Sequence, residues 1–212
     1  MNWKRIIVDA GLRLRDAKLT VETWGNISCR ADDLVYITPS GMDYGVITED
    51  DVVVTDLNGK IVQGDRKPSI ETPLHLAVYN IRPDVNAVIH THAIHSNIFA
   101  CIGEDIPLFH DEAAQTLGDT VRCADYCLPG TVELAESCTA VLAGKANACL
   151  LRNHGAVCAA DSMDNCFKVA VVLEMMAELY YKIRAMDCSC APLADEHIRI
   201  MQEFVKTRYG QK

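Results

Sequence analysis

Residues 86–96 read N-A-V-I-H-T-H-A-I-H-S and hold three of the seven histidines in the chain. The first half is apolar and β-branched, which suits a strand. On a strand, residues i and i+2 face the same side, with Cα atoms roughly 6.6 Å apart. His90 and His92 can therefore converge on one ion. His95 falls three positions further on, where residues 94–101 turn helical, so it is expected to line that helix and stand outside the pair.

Upstream, Leu74, Ala77, Val78 and Ile81 recur at helical spacing over 72–81, and Arg82-Pro83-Asp84 ends that helix. Residues 4–18 carry a second amphipathic pattern. Between the two, G-N-I-S-C-R, A-D-D and L-V-Y-I-T-P read as strand, turn and strand. V-V-V-T-D and I-V-Q-G form a second hairpin signalled by Asn58-Gly59. Downstream, R-C-A-D-Y, C-L-L-R-N and G-A-V-C-A-A read as strands, with a helix over 131–143 between the first two. Ser162 caps a long helix that is apolar almost all round from Val169 to Met176, and a last helix covers 195–206. Hairpins first, then strands interleaved with helices, predict one α/β domain over 1–212: a three-layer α/β/α arrangement with a mixed, largely antiparallel sheet.

The 212 residues include 20 basic and 29 acidic side chains, a balance that opposes nucleic acid or an anionic membrane as the main partner. No apolar run approaches the roughly 20 residues of a membrane span. Most of the ten cysteines sit in apolar stretches such as A-C-L-L and A-V-C-A-A, where they read as small buried hydrophobes. Without a C-x-x-C pair or a signal-peptide run at the start, the expectation is reduced thiols in a cytoplasmic protein.

A histidine pair does not complete a metal site. His154, in L-L-R-N-H-G-A-V, is the candidate third ligand, because it precedes Gly155 between two apolar strands. Three neutral imidazoles leave the charge of a divalent ion uncompensated, which suits a Lewis acid with an open position. The missing proton carrier is a carboxylate, and Glu71, in K-P-S-I-E-T-P-L-H, is the candidate; its alternative is a first-turn glutamate that complements a helix dipole. His75, His110 and His197 read as ordinary structural histidines. No Gly-rich nucleotide loop of either common type occurs.

Taken together, G-N-I-S, I-T-P-S-G, K-P-S-I-E-T-P-L-H, A-V-I-H-T-H and N-H-G resemble the class II sugar-phosphate aldolase and epimerase family, which includes the adducin head domain. The likeness runs in order from about residue 5 to residue 209. It implies a metal-dependent, reversible cleavage of a ketose 1-phosphate of deoxy- or methyl-sugar type to dihydroxyacetone phosphate and an aldehyde. The metal it implies is Zn2+, with Co2+ or Mn2+ as substitutes. It also implies a homotetramer with active sites between subunits. Matched residue by residue, His90, His92 and His154 would be the metal ligands and Glu71 the acid/base. Asn26, Thr38, Ser40, Gly41 and Ser69 would grip the substrate phosphate. Standing alone, T-P-S-G is a plain turn.

Two departures bear on substrate. The family's aldolases have two serines before the glutamate, and here the second is Ile70, so one phosphate contact is missing. Where fuculose-phosphate aldolase has a tyrosine after I-P-x-x-H, this chain reads I-P-L-F-H-D-E-A-A, which puts Asp111 or Glu112 there. An acidic residue in that segment resembles the family's 4-epimerase, so a 4-epimerase or a sugar-acid phosphate decarboxylase is the alternative enzyme. A non-catalytic adducin-like scaffold is the alternative outside catalysis. Tyr209 matches a tail tyrosine that closes over substrate, or is simply a tail residue.

Overall fold

The structure is a computed structural model, and it describes residues 1–210. Eight strands form one sheet: β1 (Asn26–Ala31), β2 (Leu34–Ile37), β3 (Val53–Asp56), β4 (Ile61–Gln63), β5 (Ala87–Thr91), β6 (Cys123–Ala124), β7 (Ala148–Leu151) and β8 (Gly155–Ala160). Their spatial order is β4-β3-β2-β1-β5-β8-β7-β6. Every neighbouring pair is antiparallel except β6 with β7. The helices are α1 (Trp3–Asp16), α2 (Thr72–Ile81), α3 (Ile94–Ile102), α4 (Asp111–Thr116), α5 (Val132–Leu142), α6 (Met163–Ala185) and α7 (Asp195–Thr207).

The period-2 alternation of the central strands divides two cores. Ala87 and Ile89 of β5, with Ala148 and Leu150 of β7 and Ala156 and Cys158 of β8, pack with residues of α1, α3 and α6 on one face. Val88, Cys149, Leu151, Val157 and Ala159 pack with residues of α2 and α5 on the other. Both faces are covered, so β5, β7 and β8 are buried along their whole lengths; β7 and β8 read as apolar runs, and β5 is apolar up to His90. The three-layer α/β/α arrangement and the mixed sheet expected from the sequence are present.

Two elements differ from the sequence reading. R-C-A-D-Y forms only the two-residue β6, because the Cys123 N–H is taken by the Asp105 side chain at 2.8 Å and the chain turns outward beyond Ala124. The six residues Asp111–Thr116 form α4, too short to display a periodicity. The caps follow local chemistry: the Ser162 hydroxyl accepts from Asn165 N–H at the start of α6, and Glu174 receives the N–H groups of His95 at 2.8 Å and Ser96 at 2.9 Å at the start of α3.

Candidate metal centre and active site

β5 ends at Thr91, with His90 facing the α2 side and His92 one residue past the strand. The turn between β7 and β8 carries His154 to the same spot. Ring centroids lie 4.6 Å apart for His90 and His92, 4.8 Å for His90 and His154, and 5.1 Å for His92 and His154. One nitrogen of each falls within 4.8 Å of the others. Glycines make this convergence possible. A Cβ on Gly155 would lie 2.4 Å from the Thr91 carbonyl oxygen and 2.8 Å from His90 Cε1. A Cβ on Gly25 would meet the His90 carbonyl oxygen at 2.7 Å, and Gly25 also has φ +76°.

The hydrogen bonds fix the His90 tautomer. Its Nδ1 lies 2.9 Å from the Ala156 carbonyl, which can only accept, so Nδ1 carries a proton and Nε2 is the nitrogen turned inward, where its lone pair serves a metal once it is unprotonated. The inward Nε2 atoms of His90 and His92 are 2.8 Å apart. Burial, followed by the neighbouring imidazoles, pushes His92 down to about 3 and His154 to about 4. Neutral imidazoles with inward lone pairs, one oriented by a backbone carbonyl, are what a metal requires. A tetrahedral ion at 2.0–2.1 Å needs donors roughly 3.3 Å apart, so the three histidines fit a divalent cation. His154 Nδ1 is buried without a hydrogen-bond partner among the described residues.

Glu71 occupies the N-cap position of α2, but its side chain makes no capping bond. It points into the cluster instead, 4 % exposed, with Oε2 3.3 Å from His90 Nε2 and Oε1 3.3 Å from His154 Nε2. Asn26 Nδ2 donates to Oε2 at 2.7 Å. Burial pushes the Glu71 carboxyl up, but His90, the Asn26 hydrogen bond and His154 outweigh it and hold the group below its usual range. The first-turn reading fails because the carboxylate faces the histidines and not the helix N–H groups.

Three separated motifs meet beside this carboxylate. Pro39 and Pro68 form an antiparallel bridge, flanked by Ser40 N–H donating to Lys67 O at 2.9 Å and Ser69 N–H to Thr38 O at 3.1 Å. Thr38 Oγ1 accepts from Ile27 N–H at 3.2 Å, which ties the loop to β1. Ser69 Oγ accepts from Glu71 N–H at 3.2 Å. Thr38 and Ser69 are buried, whereas Ser40 and Gly41 are open to solvent. Ile70 is 63 % exposed and packs against Gly130. Trp24 is 58 % exposed and sits 6.1 Å from the His92 ring.

Other expected positions lie apart from the cluster within one chain. Asp111 and Glu112 open α4 and are exposed, with Glu112 paired to His110. Tyr209 is exposed and contacts Phe204 and Lys168. His95 stands outside the metal pair, bonded through Nδ1 to Glu174 at 2.8 Å. From its sequence context His75 is expected to be an ordinary structural histidine; the structure buries it completely, 2.5 Å from Asn26 Oδ1 and 2.6 Å from Ser28 Oγ. Its i+4 spacing from Glu71 was the available signal.

The protein family described as "Class II Aldolase and Adducin N-terminal domain" matches residues 5–181. The chain is 37 % identical over 199 residues to a 5-methylthioribulose-1-phosphate/5-deoxyribulose-1-phosphate aldolase of Rhodospirillum rubrum, covering 93 % of this chain and 89 % of that protein. It is 36 % identical over 206 residues to the L-fuculose phosphate aldolase of Escherichia coli K12, covering 97 % and 94 %. A solved L-fuculose 1-phosphate aldolase superposes with a TM-score of 0.92 at 36 % identity, covering 96 % of each chain.

Proposed function

Because this chain belongs to the Class II Aldolase and Adducin N-terminal domain family, we propose that it is a zinc-dependent aldolase that cleaves a deoxy- or methyl-type ketose 1-phosphate reversibly to dihydroxyacetone phosphate and an aldehyde. The observation that carries this reading is the buried Glu71 carboxylate, 3.3 Å from two imidazole nitrogens and next to Ser69, which the Pro39–Pro68 bridge ties to Thr38. That arrangement sets a proton carrier between a metal site and a hydroxyl-lined loop.

His90, His92 and His154 hold the ion. When bound, it supplies positive charge that polarises the substrate carbonyl and offsets the negative charge of the transition state. Thr38, Ser40, Gly41 and Ser69 grip the phosphate through hydroxyls and loop N–H groups, with Asn26 beside them. Glu71 returns a proton to the carbon freed when the C3–C4 bond breaks, giving dihydroxyacetone phosphate, and removes it in the reverse direction. The exposed face of Trp24, 6.1 Å from the His92 ring, gives the metal side of the site an apolar surface, which favours a substrate with a hydroxyl-poor tail.

The exposed Asp111, Glu112 and Tyr209 fit a homotetramer in which these groups serve a neighbour's site. The thiols are free, among the described residues no helix is long and apolar enough to cross a membrane, and a cytoplasmic enzyme follows as our reading. One domain would carry the whole activity.

The test is a panel of ketose phosphates with metal content measured alongside. Dihydroxyacetone phosphate, detected with a coupled dehydrogenase, is the expected product. Epimer or carbon dioxide formation without aldehyde release would contradict the aldolase reading, and protein purified without zinc, cobalt or manganese would favour a scaffold.

A further inference from the structure

Behind Glu71 lies a chain of hydrogen bonds made entirely of buried side chains. Tyr79 Oη is 2.7 Å from Ser28 Oγ, and Ser28 Oγ is 2.6 Å from His75 Nδ1. His75 Nε2 is 2.5 Å from Asn26 Oδ1, and Asn26 Nδ2 is 2.7 Å from Glu71 Oε2. Tyr79, Ser28, His75, Asn26 and Glu71 are between 0 % and 6 % exposed. Sheet register and helix pitch create the alignment: Asn26 and Ser28 alternate onto the α2 face of β1, while Glu71, His75 and Tyr79 recur every four residues along α2.

The direction of every bond follows from what each atom can do. Turning the Asn26 amide over would set its oxygen against the Glu71 carboxylate at 2.7 Å, acceptor against acceptor, so the NH2 group faces Glu71. Asn26 Oδ1 is then an acceptor only, and His75 must donate Nε2–H to it. Burial pushes His75 down to about 3, so the ring is neutral and Nδ1 is an acceptor. Ser28 therefore donates to Nδ1 and accepts from the Tyr79 hydroxyl. All donors point toward Glu71, an arrangement in which successive bonds polarise one another. At its end, Oε2 is occupied, whereas Oε1 is buried with no hydrogen-bond partner among the described residues and stands 3.3 Å from His154 Nε2.

We propose that His75 is a positioning residue of this site: its Nε2–H locks the Asn26 amide onto Glu71 Oε2, so that Oε1 is the oxygen that exchanges a proton with the substrate carbon. In the forward direction Oε1 gives its proton to that carbon while the C4 hydroxyl gives up its own proton to solvent as the aldehyde forms, and Glu71, left as a carboxylate, takes a proton back from solvent before the next turnover; the reverse reaction runs the same transfers in the opposite order. The inference rests on Glu71 being the acid/base of the proposed aldolase.

Two measurements on the full-length, metal-loaded protein test it. Nitrogen-15 and proton correlation of labelled histidine side chains, assigned by the loss of one signal in His75→Gln, should show His75 as the neutral Nε2–H tautomer. An Nδ1–H tautomer or an imidazolium would overturn the relay, whatever the activity. Kinetically, His75→Gln keeps an N–H donor near the Nε2 position, whereas His75→Asn reaches only as far as Nδ1. His75→Asn is expected to lose roughly 10- to 100-fold in kcat per bound metal with little change in KM, and His75→Gln to retain most of it. Equal turnover by the two variants would assign His75 to packing alone. Absence of dihydroxyacetone phosphate release by the unsubstituted protein would instead count against the functional reading, with the tautomer still decided.

Discussion

Gly155→Ala puts the steric basis of the metal site to a quantitative test. The added Cβ would lie 2.4 Å from the Thr91 carbonyl oxygen and 2.8 Å from His90 Cε1, and the first of these is backbone that cannot rotate away. Relief requires a shift of roughly 1 Å between the β7–β8 turn and the end of β5, a form of overpacking that costs about 1–3 kcal/mol. For a chain of this size, that corresponds to a Tm lower by roughly 2–12 °C. The same shift moves His154 away from His90, so metal affinity should fall roughly 10- to 100-fold, as when ligand-orienting groups are lost. Gly144→Ala is the control: no atom lies within 4 Å of its Cβ and its φ is not in the left-handed region, so Tm should hold or rise slightly. The assays are thermal unfolding of the metal-free protein and competition for metal against a calibrated chelator. A Gly155→Ala protein that matched Gly144→Ala in both would refute the reasoning.

Restoring a hydroxyl with Ile70→Ser should lower KM for a ketose 1-phosphate roughly 2- to 10-fold, the value of one added hydrogen bond, with kcat little changed; steady-state kinetics decide it. Burial lowers His75 to about 3, so the folded state binds fewer protons than the unfolded chain below pH 6.5. Its contribution to stability is whole above pH 6.5 and is lost as pH falls toward 3, by roughly 3 kcal/mol at pH 4.5; urea titrations of metal-free protein should show a flatter acid limb for His75→Gln. Exposed Cys101 and Cys188 should react quickly with a thiol reagent, whereas burial pushes Cys29 to about 12 and keeps it inert.

Much of this site can be read in the sequence because its geometry is local or carried by short motifs. His90 lies on β5 and His92 follows one residue past its end, a spacing short enough to bring both rings together, and Gly155 next to His154 marks a close backbone approach. The pairing of I-T-P-S-G with K-P-S-I-E is less local, since only the Pro39–Pro68 bridge brings Thr38 and Ser69 together. His75 escaped notice because its partners are set by sheet register: Asn26 lies opposite His90 across the β1–β5 pair, and no property of residues 72–81 reveals what faces them. The six-residue α4 and the two-residue β6 are too short for periodicity to register. Asp111 and Glu112 stand at the start of α4 and Tyr209 beyond α7, where Glu112 pairs with His110 and Tyr209 contacts Phe204 and Lys168 instead of the histidine cluster.

The most direct test of Glu71 as proton carrier needs no knowledge of the aldehyde. Metal-loaded protein is incubated with dihydroxyacetone phosphate alone in deuterium oxide, and proton NMR follows the hydroxymethyl carbon. The unsubstituted protein is expected to exchange one hydrogen for deuterium, and Glu71→Gln with equal bound metal to exchange none. Undiminished exchange by Glu71→Gln, or none by the unsubstituted protein, would contradict the assignment.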